Sequence, residues 1–143
     1  MATEILLNDG GAPARILPLL NGSAALEAGI YVDVHTDGTL KAFVDDQNGG
    51  TNMAQACGIG VLLTDVAAGA MGNVVCGRGI ICNVQAATVG AIGDNVSIDD
   101  AGKVETVATN LETNRAVGVA LTTNFNGTDS GGNTTVFCKV LLI

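Results

Sequence analysis

The stretch Gly29-Ile30-Tyr31-Val32-Asp33-Val34 alternates its side chains with a period of two after an opening glycine. Its even-numbered positions are aliphatic and fall on one side of an extended chain, whereas Tyr31, Asp33 and the following His35 fall on the other. This period is typical of a half-buried β-strand. Because Asp37-Gly38 is a turn-forming pair, the stretch predicts a strand followed by a tight turn.

The same pattern occurs again sixty-four positions later in the chain. At this shift the first stretch coincides with Gly93-Asp94-Asn95-Val96-Ser97-Ile98, and Asp37-Gly38-Thr39-Leu40 coincides with Ala101-Gly102-Lys103-Val104. The opening glycine, the alternating aliphatic residues, the turn glycine and the next aliphatic residue all match. We interpret this agreement as an internal repeat.

Two later blocks extend the repeat with small insertions or deletions between them. Cys57-Gly58-Ile59-Gly60-Val61 resembles Val117-Gly118-Val119-Ala120-Leu121 at a shift of sixty, and Val74-Val75-Cys76 resembles Val136-Phe137-Cys138 at sixty-two. The simplest interpretation is a unit of four short strands used twice, over residues 29–82 and 93–143. Both units would belong to a single β domain that covers residues 23–143.

The composition agrees with an all-β fold that has an aliphatic core. Twenty glycines and only two prolines in 143 residues favour many short strands joined by tight turns. Aromatic residues make up 3% of the chain and tryptophan is absent, so Val, Ala, Leu and Ile must fill the core. A chain of this length can bury one such core.

The charge pattern argues against nucleic-acid binding. The net charge is −8, and the basic residues are scattered singly, so no basic stripe could neutralise a phosphate backbone. They are Arg15, Lys41, Arg78, Lys103, Arg115 and Lys139. With neither a signal-like start nor an apolar run of membrane-spanning length, we expect a soluble protein made in a cytoplasm, with no membrane partner.

The N-terminal segment, residues 1–22, has turn formers and prolines but no period of a strand or a helix. We therefore predict an extended arm. Its apolar side chains would be unfavourable in water, so the arm predicts a partner surface. The candidate contact residues are Ile5, Leu6, Leu7, Ile16, Leu17, Leu19 and Leu20.

No catalytic, cofactor-binding or metal-binding residues are predicted. The four cysteines lie in strand-like apolar contexts without a C-x-x-C pair, and His35 is the only histidine, so we expect free, buried thiols and no zinc site. The segment that begins at Asp33 resembles a calcium loop, but His35 and Val44 stand where it needs oxygen ligands. The pairs Asp45-Asp46 and Asp99-Asp100 are expected in solvated turns.

Several segments resemble the small capsid decoration, or cement, proteins of tailed bacteriophages, including the lambda-type head decoration proteins and their relatives. The resemblance extends from about Ile16 to Ile143 and rests on short glycine-strand motifs. They include Ala28-Gly29-Ile30-Tyr31-Val32, Ala91-Ile92-Gly93-Asp94-Asn95-Val96, Ala116-Val117-Gly118-Val119-Ala120-Leu121 and the terminal segment Val136-Phe137-Cys138-Lys139-Val140-Leu141-Leu142-Ile143. In one departure from the family pattern, Ile30 follows the first glycine where an acidic residue is common.

The resemblance implies a small β-barrel or β-tulip, a homotrimer on the outer surface of the virion, and an N-terminal segment that contacts the major capsid protein. Such a protein is not an enzyme and needs no cofactor. A carbohydrate- or receptor-binding β-domain of a phage fibre or secreted adhesin is the alternative. Its weakness is the small number of aromatic residues that could stack on sugars. A hydrolase that uses the paired aspartates is a third hypothesis.

Overall fold

Among the residues that the structure describes, twelve strands make up the regular structure and no helix occurs. The computed structural model describes residues 1–8, 14–22, 24–34, 37–42, 59–99, 101–106 and 116–143. The strands are β1 (Leu6–Asn8), β2 (Arg15–Leu20), β3 (Tyr31–Val34), β4 (Leu40–Ala42), β5 (Gly60–Leu62), β6 (Met71–Cys76), β7 (Ile81–Gln85), β8 (Asn95–Ile98), β9 (Val104–Thr106), β10 (Gly118–Ala120), β11 (Phe125–Thr128) and β12 (Thr134–Leu142). The predicted all-β fold is confirmed.

The strands form two antiparallel sheets with the same internal order. The first sheet is β2-β6-β5-β3-β4, and we call it the first unit. The second sheet contains the series β7-β12-β10-β8-β9, which we call the second unit, with β1 added beside β7 and β11 beside β12. No closed barrel is detected among the described strands, and two sheets of this kind are compatible with a small barrel or a sandwich.

The two units correspond strand by strand, and each has five strands where the sequence predicted four. In the first unit Val32 pairs with Gly60, and in the second unit Val96 pairs with Gly118. Each unit also has an isolated parallel bridge near the end of its first strand, between Asn21 and Leu40 and between Ala86 and Val104. The extra member of each unit is its first strand, β2 or β7, which begins before the start that the sequence predicted for that unit, residue 29 or residue 93.

Two aliphatic clusters form the core. The smaller cluster lies on one face of the first unit and contains Leu26, Ile30, Val32, Leu40, Leu62, Val66 and Val74. The larger cluster contains most of the buried residues of the second unit together with Tyr31, Val61 and Val75 from the other face of the first unit. The two units therefore share the larger cluster, as expected for halves that fold together.

The N-terminal segment is extended but is part of both sheets, which corrects the expectation that it has no strand. β1 pairs with β7 through the partners Leu6 and Cys82, and all six residues of β2 pair with β6. β2 has no period of two in its burial because it is an edge strand with most of its side chains exposed. Pro18 fits this position, since an edge strand tolerates a residue without an N–H group.

Candidate interaction surface

The outward face of β2 is an exposed apolar surface. Ile16, Pro18 and Leu20 alternate along the strand with Leu17 and Leu19, and Leu19 packs against the smaller core cluster. The alternation of a strand therefore directs Ile16 and Leu20 away from that core. Ile16 and Leu20 are 49% and 45% exposed.

Met71 on β6 extends this surface to a second strand. It is the direct cross-strand partner of Leu20, so both side chains lie on the same face of the sheet, and it is 60% exposed. We call Ile16, Pro18, Leu20 and Met71 the β2 face. Large side chains gathered on neighbouring strands are more informative than apolar residues exposed singly, because such patches mark interaction sites.

The structure divides the seven predicted arm residues between different environments. Ile5 is buried in the larger core cluster at 6% exposure, Leu6 packs against that cluster, and Leu19 packs against the smaller one. Leu17 is exposed but points to the opposite side of β2 from Leu20. Of the seven residues, Leu7, Ile16, Leu17 and Leu20 are exposed. The sequence did not indicate the exposed Met71 beside Leu20, because Met71 lies far from the N-terminal segment in the chain.

Asp37 and Asp99 accept hydrogen bonds within turns. The Asp99 carboxylate accepts hydrogen bonds from the N–H groups of Ala101 and Lys103, both at 2.8 Å. Asp37 accepts from the N–H group of Thr39 at 3.0 Å and from its hydroxyl at 2.8 Å. These contacts match the turns predicted at both positions. Asp45, Asp46 and Asp100 lie outside the described residues.

Asp129 has the same role at the tip of the β11-β12 hairpin. It accepts a hydrogen bond from the N–H group of Asn133 at 2.7 Å, and further bonds from the Asn133 side-chain amide. Hydrogen bonds to the charged form favour it, so these contacts from Asn133 hold the pKa of the Asp129 carboxyl below its usual value. The hairpin tip is thus held by its own carboxylate.

Three cysteines are described, and all have free thiols. Cys82 and Cys138 are buried in the core, whereas Cys76 is half-buried. Burial disfavours a thiolate and raises the pKa of Cys82 to about 12. In the described part of the chain no three side chains of His, Cys, Asp or Glu gather as a metal site would require. His35 and Cys57 lie outside that part.

The described aromatic rings are turned inward. Tyr31 and Phe137 are buried, and Phe125 is half-buried and stacks on Phe137 with ring centroids 6.2 Å apart. Phe43 lies outside the described residues. None of the three described rings is therefore placed as an exposed platform for a sugar.

A cleft of about 470 Å³ lies between the N-terminal residues and the β11-β12 hairpin. Ile5, Leu6, Leu63 and Phe137 contribute to its largely apolar lining. The hydroxyl of Ser130 at its rim donates a hydrogen bond to the carboxylate of Asp65, so these two polar groups are engaged with each other. The carboxyl groups of Glu4 and Asp129 also line the cleft.

The sequence of this chain was compared with protein-family models and with curated proteins. No protein-family model matches it, and no curated protein is significantly similar to its sequence. Among the described residues no helix is long and apolar enough to cross a membrane.

Proposed function

We propose that this chain is a structural capsid decoration protein. It binds the outside of a tailed-phage head as an oligomer, a homotrimer in the lambda-type manner, and stabilises the head by linking subunits of the major capsid protein. The observation that carries the proposal is the β2 face, an apolar surface on an edge strand in the segment that resembles the capsid-contacting segment of that family. The proposed location is the outer surface of the virion, after synthesis in the host cytoplasm.

Burial of the β2 face supplies the attraction. Ile16, Leu20 and Met71 are about half exposed or more, and covering an apolar side chain stabilises a complex by roughly 25 cal/mol per Å² removed from water. Each contact is modest by itself. An oligomer that presents the face several times converts modest contacts into stable binding, because later contacts form at high effective concentration.

The remaining chemistry supports a structural role on the outside of a head. The net charge of −8 keeps the particle surface soluble and disfavours contact with packaged nucleic acid. The described aspartates at turns are occupied by backbone N–H groups, which is the arrangement of a stabilised turn. Linking capsid subunits needs no bond to be broken, so no catalytic group is required.

The test is binding to expanded, undecorated phage heads. Purified protein is mixed with heads, the heads are sedimented, and the bound copies are counted against the total concentration. We expect saturable binding near one trimer for each local three-fold position. Absence of binding to several related heads would overturn the proposal and favour the glycan- or receptor-binding alternative, which a glycan array then tests.

A matched pair of variants shows whether the β2 face makes the contact. The double variant Leu20→Ser, Met71→Ser removes two apolar side chains from the face, and we expect its head affinity to fall at least about tenfold, as for the loss of more than one buried apolar contact. The control is Ile92→Ser, because Ile92 is 69% exposed in a turn outside the face. Equal affinities for both variants would reject the β2 face as the contact.

A further inference from the structure

The cleft beside the β11-β12 hairpin has walls from three separate parts of the chain. They are residues 2–6 of the N-terminal segment, residues 63–65 after β5, and residues 128–130 at the end of β11. The volume of about 470 Å³ lies in the range of roughly 300–1,000 Å³ that is typical of small-molecule sites. The cleft is therefore large enough to hold a small organic ligand.

The apolar part of the lining belongs to the larger core cluster or packs against it. Ile5 and Phe137 are members of that cluster and are almost fully buried. Leu6, Ala28 and Leu63 pack against the cluster and stay half-buried, so part of their apolar surface remains in contact with water. An aliphatic chain in the cleft would cover this surface, and its burial would be favourable.

Hydrogen bonds hold the walls of the cleft together. The N–H group of Thr3 donates to the carbonyl oxygen of Thr128 at 2.7 Å, and the N–H group of Thr128 donates to the Thr3 hydroxyl at 2.8 Å. The Asp65 carboxylate accepts from the N–H group of Ala28 at 2.8 Å and from the hydroxyl of Ser130. The cleft is therefore formed before a ligand enters, and binding requires little ordering of its walls.

The charged residues that line the cleft, within the described part of the chain, are all acidic. They are Glu4, Asp65 and Asp129, and no Lys, Arg or His is found beside them in the lining. Asp65 accepts its hydrogen bonds from neutral donors, which do not neutralise its charge. The hydrogen bonds from Asn133 lower the pKa of the Asp129 carboxyl, so this group is ionised at neutral pH.

We propose that the cleft binds an aliphatic cation, a small molecule whose alkyl chain carries a terminal ammonium group. The alkyl chain covers the apolar lining, and the ammonium group donates hydrogen bonds to the carboxylates of Glu4, Asp65 and Asp129. An alcohol of the same length gains only the apolar contact, and a fatty acid anion of the same length is repelled. No member of the β2 face lines the cleft, so this site is separate from the proposed capsid contact.

Three probes with the same alkyl chain test the ligand class. n-Octylammonium, n-octanol and octanoate are titrated into the protein, and binding is followed in amide NMR spectra. We expect n-octylammonium to bind about threefold more tightly than n-octanol and at least about tenfold more tightly than octanoate. The largest shift changes should occur at the N–H groups of Thr3, Ala28 and Thr128. Equal affinities for the three probes, no saturable binding of n-octylammonium, or largest changes at Leu20 and Met71 would overturn the proposal.

A charge-removing variant tests the acidic lining. Glu4→Gln removes one carboxylate from the cleft and keeps the size of an exposed side chain. We expect its affinity for n-octylammonium to fall about threefold and its affinity for n-octanol to stay unchanged. Glu105→Gln is the control, because it removes the same charge from β9, outside the cleft. An equal fall in both variants would show that net charge alone attracts the cation, which contradicts the proposal.

A lysine side chain of a partner protein has the same ammonium group on a shorter chain. Nα-Acetyl-lysine methylamide is the probe for that source, and we expect it to bind at least about tenfold more weakly than n-octylammonium because it covers less of the apolar lining. Equal or tighter binding of the lysine derivative would overturn the assignment to a free amine.

The double variant Leu20→Ser, Met71→Ser separates this site from the proposed function. It should bind n-octylammonium as tightly as the natural sequence does, because neither residue lines the cleft. A protein that binds n-octylammonium in the cleft but binds no phage heads would reject the capsid proposal and leave this site standing. Loss of n-octylammonium binding in the double variant would place the cation on the β2 face and overturn the cleft assignment.

Discussion

Gly29 and Gly93 make the same hydrogen bond at the same place in the two units. Their φ angles are +84° and +90°, and their N–H groups donate to the carbonyl oxygens of Leu62 and Ala120, each at 2.8 Å. A non-glycine residue at such a φ would be strained, so the glycine that opens each repeat is required by its backbone. The internal repeat is therefore a repeat of backbone geometry as well as of side-chain pattern.

Gly60 and Gly118 provide the sharpest test of this equivalence. A Cβ on Gly60 would stand 2.3 Å from the Val75 carbonyl oxygen, and one on Gly118 would stand 2.6 Å from that of Leu141. The added Cβ would also meet the side chain of Val74 at Gly60 and of Val140 at Gly118. Neither glycine has a positive φ, so an alanine would meet steric conflict with the neighbouring strand and no backbone strain. We expect each Gly→Ala change to lower the free energy of unfolding by about 1–3 kcal/mol in urea titrations.

Gly90→Ala is the matched control for both changes. Its Cβ would meet nothing closer than 3.4 Å, at the Asp94 carboxylate, and its φ is not positive. Reduced freedom of the unfolded chain should leave this variant neutral or more stable by up to about 1 kcal/mol. A Gly118→Ala protein as stable as the control would mean that β10 and β12 do not approach as closely as described.

The sequence predicted the strands that are equally spaced in the two units. The shift of sixty-four aligns β3 and β4 with β8 and β9, because the turns between these strands have equal lengths. The later shifts were wrong. The pairing of Gly60 with Val32 and of Gly118 with Val96 gives a shift of fifty-eight for β5, since the connection before it has seventeen residues (43–59) and the one before β10 has eleven (107–117).

The last strand was misaligned for a different reason. Val74 corresponds to Val140, because each pairs with the neighbouring strand at the same place, and this is a shift of sixty-six where the sequence suggested sixty-two. β12 is nine residues long, and its first half pairs with β11, a strand that the first unit does not have. A valine-rich strand offers several similar alignments, and strand pairing alone distinguishes them.

The candidate surface was only partly predictable, because exposure depends on which sheet edge remains uncovered. Asn83 on β7 donates its N–H group to the carbonyl oxygen of Ile5 at 2.8 Å, which attaches the N-terminal chain to β7. Pro18 is the corresponding residue of β2 and has no N–H group to donate, so the same attachment cannot form there. Apolarity alone did not separate the residues of the covered edge from those of the open one.

Ile5 and Leu7 should respond differently to truncation. Ile5 is 6% exposed and packs in the larger core cluster, so we expect Ile5→Ala to lower the free energy of unfolding by about 2–4 kcal/mol. Leu7 on the same N-terminal segment is 39% exposed, and Leu7→Ala should cost less than about 1 kcal/mol. Urea unfolding of both variants checks this. Similar losses of unfolding free energy in the two variants would show that the segment does not pack as described. Deletion of residues 2–15 is a separate experiment, which tests stability and head binding together.

Asn21 is a buried polar residue that holds a loop of the first unit. Its side-chain amide donates to the carbonyl oxygens of Ala24 at 3.0 Å and Ala67 at 3.2 Å, with a longer contact to Val66 at 3.4 Å. Asn21→Ala leaves these buried acceptors with fewer partners, and we expect a loss of about 1–3 kcal/mol in the free energy of unfolding. Thermal and urea unfolding measure it.

Asn21→Asp should be less stable than Asn21→Ala at neutral pH. A carboxylate would face carbonyl oxygens in a buried site, so its pKa in the folded protein would be raised above the unfolded value of about 3.9. A carboxyl group whose pKa is raised on folding leaves the free energy of unfolding unchanged at pH values below its unfolded pKa. It lowers the free energy of unfolding as the pH rises above that value. The difference from the natural sequence should therefore grow between about pH 4 and 7. Asn73→Asp, at an exposed strand position, is the control, and a pH-independent difference at position 21 would contradict the prediction.

Cys82 should make the protein less stable in alkaline solution. Burial raises its pKa from 9.0 to about 12, so between these values the unfolded chain loses the thiol proton and the folded chain keeps it. Below pH 9 the thiol keeps its proton in both states, so it does not change the free energy of unfolding. Above pH 9 the free energy of unfolding falls as the pH rises, by at most about 1.4 kcal/mol per pH unit. Urea unfolding from pH 8 to 11 should show a shallower decline for Cys82→Ala than for the natural sequence. Parallel declines would mean that the thiol at position 82 reaches solvent in the folded protein.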